Sequence, residues 1–301
     1  MTKRFLVPIL LVLSALAVPA SSQAFKTGIG DENSAAMFGS KYFKPLHVRY
    51  VRYFVPFDAM NNPYTRRLSA QWIDAANKAG AEPLIAFYHS EYNPRHLPSV
   101  KEYTADVKAF EAAYPTVHVY TPWNEANHAG GRRFANPSAR QSAAYYEALR
   151  STCTTCTIVG LDVLDTDPRS TIKYVRDFTH AVKHKPRIWG LHNYTDTNRF
   201  HSTDTRAIIR YMPGQVWLTE TGGLVSFGRS FPNKRGAGLK RAAKALQYMF
   251  RLASAFHQIQ RVYVYAWTTV PHDVFDAGLV DSKGKPRPGY YVVRDWLHKH
   301  H

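Results

Sequence analysis

The chain has only two cysteines in 301 residues, Cys153 and Cys156. That excludes a disulfide-framed miniprotein, and a structural zinc site would need two further ligands nearby, of which none is evident. The pair forms a C-x-x-C in Ser151-Thr152-Cys153-Thr154-Thr155-Cys156. A redox centre would want it at a helix start, whereas here it follows an expected helix. In an exported protein a small structural disulfide is the expectation, with two buried thiols as the alternative. Long apolar runs are also lacking. Phe5 to Ala17 is shorter than the about 20 residues that span a bilayer, and no later segment could do so. Acidic residues are scarce: 22 against 39 Lys and Arg, for a formal charge of +17. None occurs between Glu220 and Asp273, a stretch that holds Arg229, Lys234, Arg235, Lys240, Arg241, Lys244, Arg251 and Arg261. A solvated basic helix face explains such a run; attraction to an acidic cell surface or polyanionic glycan is the sharper reading. No nucleic-acid-binding motif accompanies the charge, so nucleic acid is not an expected partner. His180 and His184 lie one turn apart, but Ala181 stands where a zinc-protease helix carries its glutamate, and no metal or other cofactor is expected.

What is present begins with Met1-Thr2-Lys3-Arg4, the apolar run, and the small residues Ser22 and Ala24. These are the parts of a secretory signal peptide over 1–24, which predicts an exported protein, extracellular or in the cell envelope, with no stable membrane insertion after cleavage. Residues 25–301 suit one large domain. Apolar content of 45% supports a sizeable core. Along this length β-like runs (25–30, 48–56, 83–88, 118–122, 157–163, 188–194, 216–219, 262–268) alternate with segments of helical period. Ser99 and Glu102 have the spacing of a capping box, Pro115 closes the helix they open, and Gly80 and Pro213-Gly214 mark other helix ends. Eight strands, each followed by a helix or loop, predict a single-domain (β/α)₈ TIM barrel. A doubly wound sheet would alternate similarly, but the first turn, Gly28-Ile29-Gly30-Asp31-Glu32, lacks the third glycine of a nucleotide-binding turn.

In such a barrel reactive groups gather where strands end. Two glutamates fall there: Glu125 in Thr121-Pro122-Trp123-Asn124-Glu125, and Glu220 in Trp217-Leu218-Thr219-Glu220-Thr221-Gly222. A facing pair of carboxyl groups is the machinery of glycoside hydrolysis. Each alone could be a structural carboxylate; their joint order, after strands four and seven, carries the weight.

These motifs resemble the retaining glycoside hydrolases of clan A, in style nearest to families 5 and 39. The resemblance covers nearly all of residues 25–301. It implies that Asn124-Glu125 supplies the acid/base and Glu220 the nucleophile. His192 and Tyr194 resemble the His-x-Tyr at the end of strand six, Trp267 the aromatic at the end of strand eight, and Arg52 the strand-two arginine near the nucleophile. Phe275-Asp276-Ala277-Gly278-Leu279-Val280-Asp281 resembles the turn after strand eight. The implied roles place Arg52, Asn124, His192, Tyr194 and Trp267 at the substrate: Arg52 and Tyr194 holding Glu220 ionised, Asn124 on a sugar 2-hydroxyl, Trp267 offering its ring face to a sugar. The expected function is a monomeric, exported, retaining glycosidase acting on a poly- or oligosaccharide, with the basic charge favouring an acidic one and short loops favouring endo action. A glycan-binding barrel without catalysis is the alternative, because fold alone does not settle function.

Overall fold

The computed structural model describes residues 25–128, 134–270 and 274–300. The expected signal peptide, 1–24, lies outside the described residues. Nine strands form one parallel sheet: β1 (Lys26–Gly30), β2 (Tyr50–Pro56), β3 (Glu82–Tyr88), β4 (Val119–Thr121), β5 (Thr157–Ile158), β6 (Asp162–Leu164), β7 (Ile188–His192), β8 (Gln215–Thr221) and β10 (Ile259–Tyr265). The sheet order is β5-β4-β3-β2-β1-β10-β8-β7-β6. Its two ends are one continuous run of chain. Val159 N donates to Tyr120 O on the β4 side, and Gly160 N donates to Ile188 O on the β7 side. The run 157–164 therefore acts as one barrel strand shared between both neighbours, and the ring has eight members, as the strand count predicts.

Helices α2 (Pro63–Lys78), α3 (Val100–Ala113), α4 (Ala139–Thr152), α5 (Pro168–Ala181), α7 (Thr203–Ile209), α8 (Ala237–Ala255) and α9 (Pro288–His300) cover the outside. Their starts follow from local chemistry. Ser99 and Glu102 form the predicted capping box, and Ser138 and Gln141 form another. Asn62 and Asp167 each cap a helix whose first residue is proline, where a missing N–H costs nothing. Three elements escaped the periodicity: α1 (Ser34–Phe38), α6 (Tyr194–Arg199), and the antiparallel pair of β9 (Ser226–Phe227) with β11 (Phe275–Asp276). All are too short to show a period. Cys153 and Cys156 are joined in a disulfide just beyond α4. Among the described residues no helix is long and apolar enough to cross a membrane.

The lower barrel interior is filled by Leu84, Val119, Val159, Trp217 and Tyr263. Arg261 closes it from below. Its guanidinium lies 4.0 Å from the Trp217 ring centroid and 4.3 Å from that of Tyr50, and it donates to Glu82 at 2.6 Å. Gly28 must be glycine here, since a Cβ would fall 2.5 Å from Tyr50 O. A solid floor leaves only the opposite end, where the strands finish, to hold a site.

Candidate active site

At that end three buried residues form a charged base. Arg52 leaves β2 and donates from one terminal nitrogen to Glu220 Oε2 at 2.7 Å. Its other terminal nitrogen donates to Asn124 Oδ1 at 2.5 Å and Asp162 Oδ2 at 3.1 Å. His192, at the end of β7, puts Nε2 3.2 Å from Asp162 Oδ1 and Nδ1 2.9 Å from Glu125 Oε1. Asp162 also accepts from the Thr219 hydroxyl. Room for its carboxylate comes from Gly190, where a Cβ would sit 2.2 Å from Asp162 Oδ1.

Electrostatics make this group interdependent. Burial pushes the His192 imidazolium down, but the Asp162 and Glu220 charges outweigh it and hold His192 at about 10. Burial pushes Asp162 up, and the His192 and Arg52 charges bring it down to about 2. Burial likewise works against the Arg52 charge, yet Glu220 and Asp162 raise its proton affinity. His192 is thus a cation at neutral pH, donating to both Asp162 and Glu125.

Above this base, Glu220 Oε1 accepts from the Tyr194 hydroxyl at 3.0 Å. Both oxygens of Glu220 are therefore tethered, one by charge and one by a neutral donor. Glu125 sits at the tip of the turn after β4, in left-handed backbone with φ 46°. That conformation strains a non-glycine residue by about 1–3 kcal/mol, and Ala126 N donating to Asp162 O at 2.8 Å helps to hold it. Glu125, His192 and Glu220 bring one side-chain atom each within 4.8 Å of one another.

A cleft of about 500 Å³ opens over the two glutamates. Phe54, Tyr88 and His128 line one part of it; Phe227, Phe231 and Phe275, carried by the β9–β11 pair and the loop beside it, line another. Tyr194 and Asn124 reach the cleft, as the resemblance implies. Three other expectations need correction. Arg52 and His192 are 1% and 0% exposed and lie beneath the carboxylates, out of the cleft wall. Their charges are buried to be paired with Asp162, not offered to a ligand. Trp267 is 0% exposed. Strand β10 ends at Tyr265, and the Trp267 ring turns inward, edge-on to Phe43 and Tyr290, with its N–H donating to Ala36 O at 2.9 Å. A tryptophan gains most where its ring is covered and its one donor is satisfied; Phe43 and Tyr290 cover the ring, and α1 supplies the acceptor. Tyr265 lines the cleft instead, its hydroxyl donating to Glu32 Oε2 at 2.7 Å.

The sequence reading missed Asp162, Tyr265 and Asp165. Asp162 left a signal: an acidic residue inside an apolar barrel strand has to meet a buried cation. Asp165 also lines the cleft and accepts from Thr195 N and Asp196 N, anchoring the start of α6. Burial raises it to about 7, and raises Asp31 to about 6, in both cases against backbone hydrogen bonds.

These shifts fix a pH dependence of stability. Asp31 and Asp165 contribute fully below about pH 4, the ordinary carboxyl range, and their contribution is lost as pH rises through 6 and 7. His192 contributes below about 6.5, and that is lost toward 10. Asp162 contributes above about 4, and that is lost as pH falls toward 2. The urea midpoint is expected to peak near pH 4 and fall toward pH 9, with Asp165→Asn flattening the slope between 4 and 7. A midpoint rising from pH 5 to 8 would contradict these assignments.

Residues 97–290 match the family described as glycosyl hydrolase catalytic core. A comparison with curated proteins finds no match. Among solved structures, a GH128 endo-β-1,3-glucanase from Amycolatopsis mediterranei in complex with laminaripentaose is 16% identical, with TM-score 0.58, over 90% of this chain and 99% of that one. Xylanase 10B of Thermotoga maritima is 11% identical, with TM-score 0.65, over 93% and 97%. A β-glucuronidase from an uncultured Clostridium sp. is 12% identical, with TM-score 0.61, over 91% of this chain and 50% of that one. The chain thus spans half the length of that β-glucuronidase. At these identities the likeness is one of fold, and the fold they share is the TIM barrel.

Proposed function

Because the chain belongs to the glycosyl hydrolase catalytic core family, we propose that it is a retaining glycosidase cleaving a poly- or oligosaccharide, with Glu220 as nucleophile and Glu125 as acid/base. One observation carries the reading: carboxylate oxygens of Glu125 and Glu220 approach within 4.8 Å where the barrel strands end. Retaining enzymes hold their carboxyl groups about 5–5.5 Å apart so that one attacks carbon directly, whereas inverting enzymes leave about 6.5–9.5 Å for a water.

In the first step a Glu220 oxygen bonds the anomeric carbon, the bond to the leaving oxygen breaks, and Glu125 gives that oxygen its proton. In the second, water attacks the same carbon, its proton passes to Glu125, and Glu220 departs as carboxylate. Arg52 and Tyr194 aim Glu220 and hold its rotamer. The Oδ1 of Asn124 is committed to Arg52, which leaves the amide N–H₂ for a sugar 2-hydroxyl. The aromatic cleft walls suit the apolar faces of sugar rings. We further propose that residues 1–24 direct export, that the enzyme works as a monomer, and that it cuts within chains; the Cys153–Cys156 disulfide is compatible with an oxidising compartment.

The test is the anomeric configuration of the first product, followed by proton NMR while reducing ends are released from a panel of polysaccharides and aryl glycosides. Retention is expected. Inversion would remove Glu220 from the role of nucleophile.

A further inference from the structure

Among the described residues, the cleft also carries a cation with no counter-ion. Arg199, in the last turn of α6, lines it and is exposed. Among the described residues it forms no ion pair and no hydrogen bond from its side chain. Its guanidinium lies 5.8 Å from the Phe231 ring centroid. A second guanidinium, that of Arg241, lies 5.5 Å from the same ring. Arg241 is spent on structure, donating to the carbonyls of Pro232, Leu224 and Val225. It fixes the loop that presents Phe231, and Phe231 in turn supports Arg199. Phe231 packs on a cluster containing Tyr194, which holds Glu220. Arg199 is therefore on the wall next to the reacting carboxylates, on the helix whose start Asp165 anchors.

The cleft's acidic residues are accounted for. Glu220 is paired with Arg52, Glu125 with His192, and Asp165 with backbone donors. The whole segment from Thr221 to His272, which forms the Phe227–Phe231 wall, has no acidic residue. An unpaired arginine in such a field attracts an anion, and its planar fork fits a carboxylate through two parallel hydrogen bonds.

We infer that Arg199 forms a subsite for the carboxylate of a uronic acid, so that the substrate is a uronic-acid-containing glycan. This rests on the glycosidase reading above. Phe231 supplies the apolar shelf that keeps the guanidinium extended, and the Arg199 fork takes the sugar carboxylate.

The experiment compares matched pairs: a uronic-acid oligosaccharide and its carboxyl-reduced counterpart, and a sulfated oligosaccharide and its desulfated counterpart. Wild type, Arg199→Ala and Arg199→Lys are measured for kcat/KM and, by calorimetry, for binding. Wild type is expected to prefer the carboxylated member by roughly ten- to a hundredfold, the worth of a charge-assisted pair. Arg199→Ala should bring that ratio close to one, and Arg199→Lys should leave it in between. An Arg199→Ala variant that lowers both rates alike and keeps the ratio would overturn the inference. So would a wild type indifferent to the carboxylate, or an Arg199-dependent preference confined to the sulfated pair. Turnover without carboxylate preference leaves the glycosidase standing and removes the subsite. Arg199-dependent binding of the uronide without turnover of any substrate does the reverse.

Discussion

Glu220→Gln is expected to lower turnover on the order of 10⁴-fold or more, while the protein keeps its fold and its glycan affinity. The size follows from what is lost: a residue acting in a concerted catalytic group costs nearly the whole group's contribution when removed. Glutamine keeps the volume and can still accept from Tyr194 and Arg52, but an amide oxygen is a poor nucleophile for carbon. Glu125→Gln should lose about 10²–10⁴-fold, the range for a positioned acid/base, and should lose least on aryl glycosides, whose leaving group needs little protonation. Single-turnover measurements on matched substrates check both. Activity that survives Glu220→Gln would place the nucleophile elsewhere.

Asp162→Asn is expected to destabilise the protein by about 3–5 kcal/mol near neutral pH, because it leaves Arg52 and His192 without the anion buried between them. The variant should also be distinguishable from a simple packing defect. Burial already presses the His192 imidazolium to release its proton, and Asp162 is foremost among the charges that retain it. Without that charge, His192 should titrate well below its present value of about 10, toward or under the ordinary 6.5. Nitrogen NMR of the imidazole reports this directly. Activity should follow, falling as His192 loses its charge and recovering at acid pH where it regains it. A variant with an unchanged His192 titration would show that Glu220 and Glu125 alone hold the proton.

The alternation of strands and helices is legible in the sequence, because burial on both faces makes apolar barrel strands and burial on one face makes periodic helices. The sequence located Glu125 and Glu220 for the same reason: a polar motif ending an apolar strand lies at the barrel mouth. It could also place Tyr194, whose hydroxyl meets Glu220. Other features depend on contacts between residues far apart in the chain, which no local pattern encodes. Trp267 turned away from the cleft because α1 offered a carbonyl to its N–H, and α1 is too short to show a period. Arg52 and His192 withdrew beneath the surface because Asp162, on a strand between theirs in the chain, supplied the charge that makes their burial tolerable. The shared strand 157–164, read as one run, appears as two pieces because it bonds first to β4 and then to β7. Local pattern fixes which residues face inward; only the closed barrel fixes which of them meet.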